Sequence, residues 1–237
     1  MNSSTKRIWG FIVVALLSFA VNIACANVVP RGRVGILNVM ARDAVHFHFG
    51  ISRFGDKDEG HSLPSGPLPE YINLELTQKL GELGYEVVVV ESSLPRKDYP
   101  GYLVEKGWRD FKLSKPGKAI VKELVERERL DFVLLLEDFS RNDGLHPGTA
   151  VHGHGLYTKA YIGETRVPTS KIFGAFIAAA VSGSDARLLG TSAPPYMVVT
   201  EVNALDTEGL SSIEPSLRLL ADQAVTGLVM YLDGTFN

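Results

Sequence analysis

The sequence predicts an α/β fold: a three-layer arrangement on a mostly parallel sheet whose strand order begins 2-1-3, extended by an antiparallel hairpin and closed by a C-terminal amphipathic helix. Three observations carry this. Arg33–Met40 and Asp131–Asp138 are short, nearly uninterrupted apolar runs, the pattern of strands buried on both faces. Between them, Ile72, Leu76, Leu80 and Leu83 repeat at helical spacing ahead of a third apolar run, Tyr85–Glu91. Near the end, Ile213, Leu217, Leu220, Ala224, Leu228 and Tyr231 fall on one helical face.

Residues 1–26 read as a targeting segment. Lys6 and Arg7 precede an apolar stretch, Ile8–Ala20, and Ala24-Cys25-Ala26 is a small-x-small cleavage pattern. The stretch is short for a membrane span, which needs about 20 residues. The expectation is export to the periplasm or outer membrane, with cleavage after Ala26 and a single domain over 27–237. An alternative gives the chain's one cysteine a role. Ile23-Ala24-Cys25 resembles the end of a bacterial lipobox, with Asn22 where that motif usually has leucine, so Cys25 is a lipidation candidate. An uncleaved anchor is the third reading. After cleavage 22 basic residues stand against 27 acidic ones, because Lys6 and Arg7 are lost from the 24. No basic stripe is present, so nucleic acid is not an expected partner. Without a cysteine pair the mature fold rests on its core, which a chain of this size supports by burying roughly 70 % of its unfolded surface.

The first strand, Arg33–Met40, runs into a long loop, 41–69, in which Val45, Phe47 and Phe49 alternate with His46 and His48. A short edge strand there would put both histidines on one face. Pro69–Leu83 is the first helix, with Gly84 as its stop and a Glu75/Lys79 pair on its wet side. Tyr85–Glu91 completes a βαβ unit. Ser114-x-Pro116 opens a second helix that buries Val121, Leu124 and Val125 and exposes Glu126–Arg129. The strand Asp131–Asp138 follows, and then a glycine- and histidine-rich loop, Phe139–Gly155. Leu156–Ile162 alternates, Lys171–Ser182 and Ala186–Ser192 form a hairpin around Gly183-Ser184-Asp185, and Met197–Val202 is a further strand. Ser211-x-x-Glu214 is a capping box that would open the last helix.

All six histidines lie on the loops after the first and third sheet strands. Loops at the carboxyl edge of an open sheet are where ligands bind. If the two strands are neighbours, Asp43, His46, His48 and His61 from one loop gather there with Asp138, Asp143, His146, His152 and His154 from the other, the ligand types that suit zinc. That defines the alternative function, a zinc-type metal-binding protein or metal-dependent hydrolase. His152 and His154, set between glycines, are its better pair. Against it, histidine is an ordinary loop residue, His-x-His lacks the fixed geometry of His-Glu-x-x-His, and no cofactor is otherwise expected. There is no nucleophile elbow, no P-loop and no dinucleotide fingerprint. The primary expectation is therefore a non-catalytic binding or scaffold domain with an envelope protein as partner. It would touch a membrane only through a lipid at Cys25 and would present exposed aromatics, with Tyr157, Tyr161, Phe173 and Phe176 as candidates, although aromatics mostly go inside and packing within the strands is the stronger reading of all four.

Taken in order, the leader, Arg33-Val-Gly-Ile-Leu-Asn-Val, Gly84-Tyr-Glu-Val-Val, Asp131-Phe-Val-Leu-Leu-Leu and the hairpin through Ser184–Gly190 make an architecture that resembles the periplasmic α/β domain at the start of the Tol-system protein TolB and the curli-secretion lipoprotein family. The resemblance implies an envelope-associated interaction domain and carries over no functional residues.

Overall fold

The computed structural model describes residues 31–49, 57–91, 101–107, 110–141, 150–159, 170–194, 197–202 and 204–234. Among them, β1 (Arg33–Asn38), β4 (Glu86–Val90) and β7 (Phe132–Asp138) are the apolar runs of the sequence, and β1 pairs in parallel with both others. β7 is buried along almost its whole length, as a strand covered on both faces must be.

The organising strand is β9 (Ser170–Ser182), thirteen residues long and antiparallel to everything it touches. Its second half pairs with β7 and with β10 (Leu188–Ser192). Its first half pairs with β8 (Gly153–Lys159) and β11 (Met197–Thr200). The register runs on from one partner to the next: Asp138 lies opposite Phe176 and Gly153 opposite Ala175. β8 in turn pairs in parallel with β2 (Ala44–Phe49), and β2 pairs antiparallel with β3 (Lys57–His61). The result is one curled, mixed sheet. The expected three-layer sandwich on an order beginning 2-1-3 does not describe it, although β1 does lie between β4 and β7. The difference arises beyond β1 and β7. There the short strand expected around His46 and His48 and the alternating run from Leu156 pair with each other as β2 and β8 and extend the sheet.

The helices cover this sheet unequally. α1 (Leu68–Glu82) buries Ile72, Leu76 and Leu80 and ends at Leu83, as the spacing predicts. α2 (Lys115–Glu128) is capped by Ser114, whose hydroxyl accepts the Gly117 N–H at 2.9 Å. α3 (Thr207–Asp233) buries Ile213, Leu217, Leu220, Ala224 and Leu228. It starts four residues before the predicted capping box, because Asp206 accepts the Gly209 N–H at 2.8 Å and supplies an earlier cap. Ser211 and Glu214 then lie inside the helix, where Glu214 pairs with Arg218. α1 and α3 share one core with Ile36, Leu134, Leu156, Ile172 and Phe176, while α2 packs on the other face with Leu37, Val133, Leu135, Ile177 and Ala179. A two-stranded hairpin, β5 (Val104–Lys106) with β6 (Phe111–Leu113), lies beside α2, in a stretch where the sequence shows no clear pattern. A third cluster, Val151, Tyr157, Phe173 and Ala175 with Phe47 and Phe49, occupies the β2–β8 half of the sheet. No described helix is long and apolar enough to cross a membrane.

Candidate functional site

The alternation in residues 44–49 does what period two requires. On β2, Ala44, His46 and His48 share a face, and the parallel register sets His46 beside Leu156 and His48 beside Thr158 on β8. The two imidazoles converge there on one hydroxyl. His46 Nε2 is 2.9 Å and His48 Nδ1 is 2.8 Å from Thr158 Oγ1, with the ring centroids 6.1 Å apart and edge-on. A hydroxyl donates one hydrogen bond and accepts others, so Thr158 can accept from one ring while donating to the other. On the far side, β3 places Glu59 opposite His46 and His61 opposite Ala44. His61 Nε2 and Glu59 are 4.0 Å apart, beyond hydrogen-bond reach. Burial holds the His46 imidazole below its ordinary pKa, with His48 and His61 pushing the same way and Glu59 opposing them.

The remaining histidines do not join this group. His154 is fully buried on the same face of β8, and neither of its ring nitrogens has a hydrogen-bond partner among the described residues. Burial pushes its pKa down to about 4, and Asp43 opposes that only weakly. Asp43 itself is exposed and accepts a hydrogen bond from Ser62. The ring of His152 packs edge-on against Phe47, 5.5 Å between centroids, on the opposite face. So the pair the glycines favoured, His152 and His154, is split between the two sides of the sheet, because strand β8 begins at Gly153. Asp143, His146, Tyr161 and Cys25 lie outside the described residues. Among the described residues no three His, Cys, Asp or Glu side chains are grouped to hold a metal ion.

At the junction of the two halves of the sheet stand two buried acids, Glu137 and Asp138, which point to opposite faces as neighbours on a strand do. Glu137 accepts the backbone N–H of Leu103 with both oxygens, at 2.9 and 3.1 Å, and that of Val104 at 2.5 Å, fastening the β5–β6 hairpin to the sheet. Asp138 accepts the Ala41 N–H at 2.9 Å, at the bend between β1 and β2, while its Oδ1 has no partner among the described residues. Burial pushes both up to about 7, against the backbone hydrogen bonds that favour their charged forms.

Sequence reasoning placed His46 and His48 on one face and named Asp138 among the carboxyl-edge candidates, but missed Thr158 and Glu137. Thr158 has no signal without the β2–β8 register. Glu137 and Asp138 did have one, as charged residues ending an otherwise buried run. Of the candidate aromatics among the described residues, Tyr157 is 3 % exposed and Phe173 and Phe176 are buried in the sheet's cores, so these three pack inside.

Comparison with known proteins finds no matching family model and no matching curated protein. Its matches are to solved structures. Protein XCC0632 from Xanthomonas campestris, of the family-model DUF330, aligns at TM-score 0.37 and 12 % identity, over 88 % of this chain and 91 % of its own. The hypothetical protein CT253 from Chlamydia trachomatis aligns at 0.35 and 11 %, over 86 % and 98 %. A PelC dodecamer from Paraburkholderia phytofirmans aligns at 0.30 and 9 %, over 87 % and 91 %. These are bacterial proteins other than TolB and the curli-secretion family. At such identities and scores nothing about function is carried from them to this chain.

Proposed function

We propose that this chain is an exported cell-envelope binding or scaffold protein, in which the domain 27–237, freed of its leader, takes an extended segment of an envelope partner along β11. The single observation that supports this is the chemistry of the sheet's edges. A bare edge strand offers a row of backbone donors and acceptors, and proteins blunt such edges with charge. The β3 edge follows that rule with Lys57-Asp58-Glu59. β11 does not: Met197-Val-Val-Thr200 carries no charge, and Val198 and Val199 are 40 % and 70 % exposed. Strand addition at an uncharged edge is a recurrent way of capturing an extended peptide. The leader, and the architectural resemblance to TolB-type and curli-secretion domains, agree with an envelope location.

The test is a photo-crosslinking amino acid at Val199 in the full chain, expressed in a bacterial envelope, with Leu74 on α1, 65 % exposed, as control. The expected result is one light-dependent adduct at Val199 and none at Leu74, with the crosslinked peptide mapping to an extended segment of an envelope protein. Equal labelling at both positions, or none at Val199, rejects the β11 reading. The mass of the same purified chain reads the leader: a start at Asn27 is expected, a start at an acylated Cys25 would replace it by lipidation, and an intact Met1 would leave the uncleaved anchor in place of cleavage.

One arrangement favours a second reading, metal binding of zinc type with a hydrolytic function. His46 and His48 already aim nitrogens at a common point, the Thr158 hydroxyl. Elemental analysis of the purified protein beside a His46→Ala/His48→Ala variant decides it. About one equivalent of zinc, lost in the variant, supports a site of the usual imidazole type. Metal-free wild-type protein after growth in zinc removes the reading.

A further inference from the structure

Where the two halves of the sheet meet, three buried polar atoms on one face have no hydrogen-bond partner among the described residues. They are Oδ1 of Asp138 and both ring nitrogens of His154. Asp138 is 5 % exposed and His154 is fully buried. Asp138, the last residue of β7, lies opposite Phe176 on β9, and His154, the second of β8, lies opposite Gly174. Residues 174 and 176 share a face of β9, so the carboxyl and the imidazole share it too, one pleat repeat or about 7 Å apart along the strand. At this point β9 changes partner from β7 to β8, so the two side chains come from the two halves of the sheet.

Buried polar groups without partners cost stability, so a native fold supplies them from somewhere. Direct pairing does not, since no hydrogen bond joins the imidazole to the carboxyl. Room for a small polar molecule exists on the carboxyl side. A Cβ added at Gly153, the residue before His154, would have the Asp138 carboxyl as its nearest atoms, 3.7 Å from Oδ2 and 3.8 Å from Oδ1. That is ordinary contact, so a methyl-sized space adjoins the carboxyl, about what one water needs. Apolar groups close the other side: at Gly174 an added Cβ would lie 3.1 Å from the Phe176 ring, 3.2 Å from Pro194 and 3.5 Å from Leu220. Asp138 Oδ2 already accepts the Ala41 N–H at 2.9 Å, which leaves Oδ1 for a second partner.

We propose that the junction holds a buried water that bridges Asp138 Oδ1 to a ring nitrogen of His154 and so ties β7 to β8. Two hydrogen bonds through one water span about 5–6 Å, which suits side chains one pleat repeat apart. A neutral imidazole offers one donor and one acceptor, and engagement of one of them by the water fixes the tautomer. The link depends neither on a partner strand at β11 nor on a metal at His46 and His48.

The test is nitrogen-15 NMR of the histidine rings in the purified protein, with the His154 signals assigned by their loss in His154→Phe. The expected result is one neutral tautomer whose ring N–H survives solvent exchange and shows a rotating-frame cross-peak to water with the sign of direct contact. A double-mutant cycle of Asp138→Val with His154→Phe reads the same link in stability. Each single change strands the other side chain and the pair strands neither. The double variant should therefore melt about 4 °C above the sum of the two separate losses, and the lost Ala41 bond cancels from the cycle. If Asp138→Val does not fold, the wild-type spectra decide alone. Mixed tautomers, a ring N–H without water contact, or melting losses that simply add overturn the proposal.

Discussion

Replacing Gly155 with alanine is expected to destabilise the protein by about 4 kcal/mol, the upper end of single-substitution effects. Gly155 is at φ +151, a region that side chains rarely enter, and an added Cβ would lie 2.0 Å from the Val45 carbonyl oxygen and 2.6 Å from its nitrogen. Both are backbone atoms of β2, paired with Gly155 in the parallel ladder, so nothing nearby can rotate aside. The strand would have to leave its partner, taking His46, His48 and Thr158 apart. For a chain of this size the melting temperature should fall by about 8–16 °C. Gly66→Ala is the control: its φ is +92 but no atom stands within 4 Å of the added Cβ, so only backbone strain of about 1 kcal/mol is expected. Similar losses at the two positions would show that the close approach of β2 and β8 is not what the glycine serves.

The second large effect is on pH dependence. Glu137 and Asp138 are pushed up to about 7 from ordinary values of 4.5 and 3.8. For an acid raised in this way, the folded state holds a proton that the unfolded state has lost, and stability falls as pH rises through the window between the two values. His154 runs the other way. It is held down to about 4 from 6.5, so below 6.5 the unfolded chain takes up a proton that the folded one refuses, and stability rises with pH through that window. His46, held below its ordinary value, adds in the same direction. Two carboxylates outweigh the imidazoles, and above about 7 all these terms are flat. Denaturant unfolding should therefore show a loss of about 2–3 kcal/mol between about pH 5 and about pH 8. In Asp138→Asn most of that loss should disappear. In the double variant with Glu137→Gln the sign should reverse, because only the histidine contribution is left. A wild-type protein that gains stability over this interval, or an unchanged slope in Asp138→Asn, would mean that the acids titrate normally.

These two results bear on the same place, the junction where β1 passes into β2 and β7 into β8. Asp138 fastens one bend through Ala41, and Glu137 fastens the β5–β6 hairpin.

What the sequence determined by itself is the set of elements whose pattern is local. Continuous apolar runs specify β1, β4 and β7, because a strand covered on both faces has no polar side to show. Helical spacing specifies α1 and α3, and Ser114-x-Pro116 the start of α2, because caps and periodicity act within a few residues. The alternation around His46 and His48 gave their common face for the same reason. Tertiary structure alone decided that the two histidine-bearing segments pair with each other and with β9. Gly153, Gly155 and Gly174 give little strand propensity, and the segments hold together only by pairing with each other and with β9. That pairing is what separates His152 from His154, brings Thr158 between His46 and His48, and buries Tyr157, Phe173 and Phe176. Register between segments more than a hundred residues apart is set by long-range packing, and no local pattern encodes it.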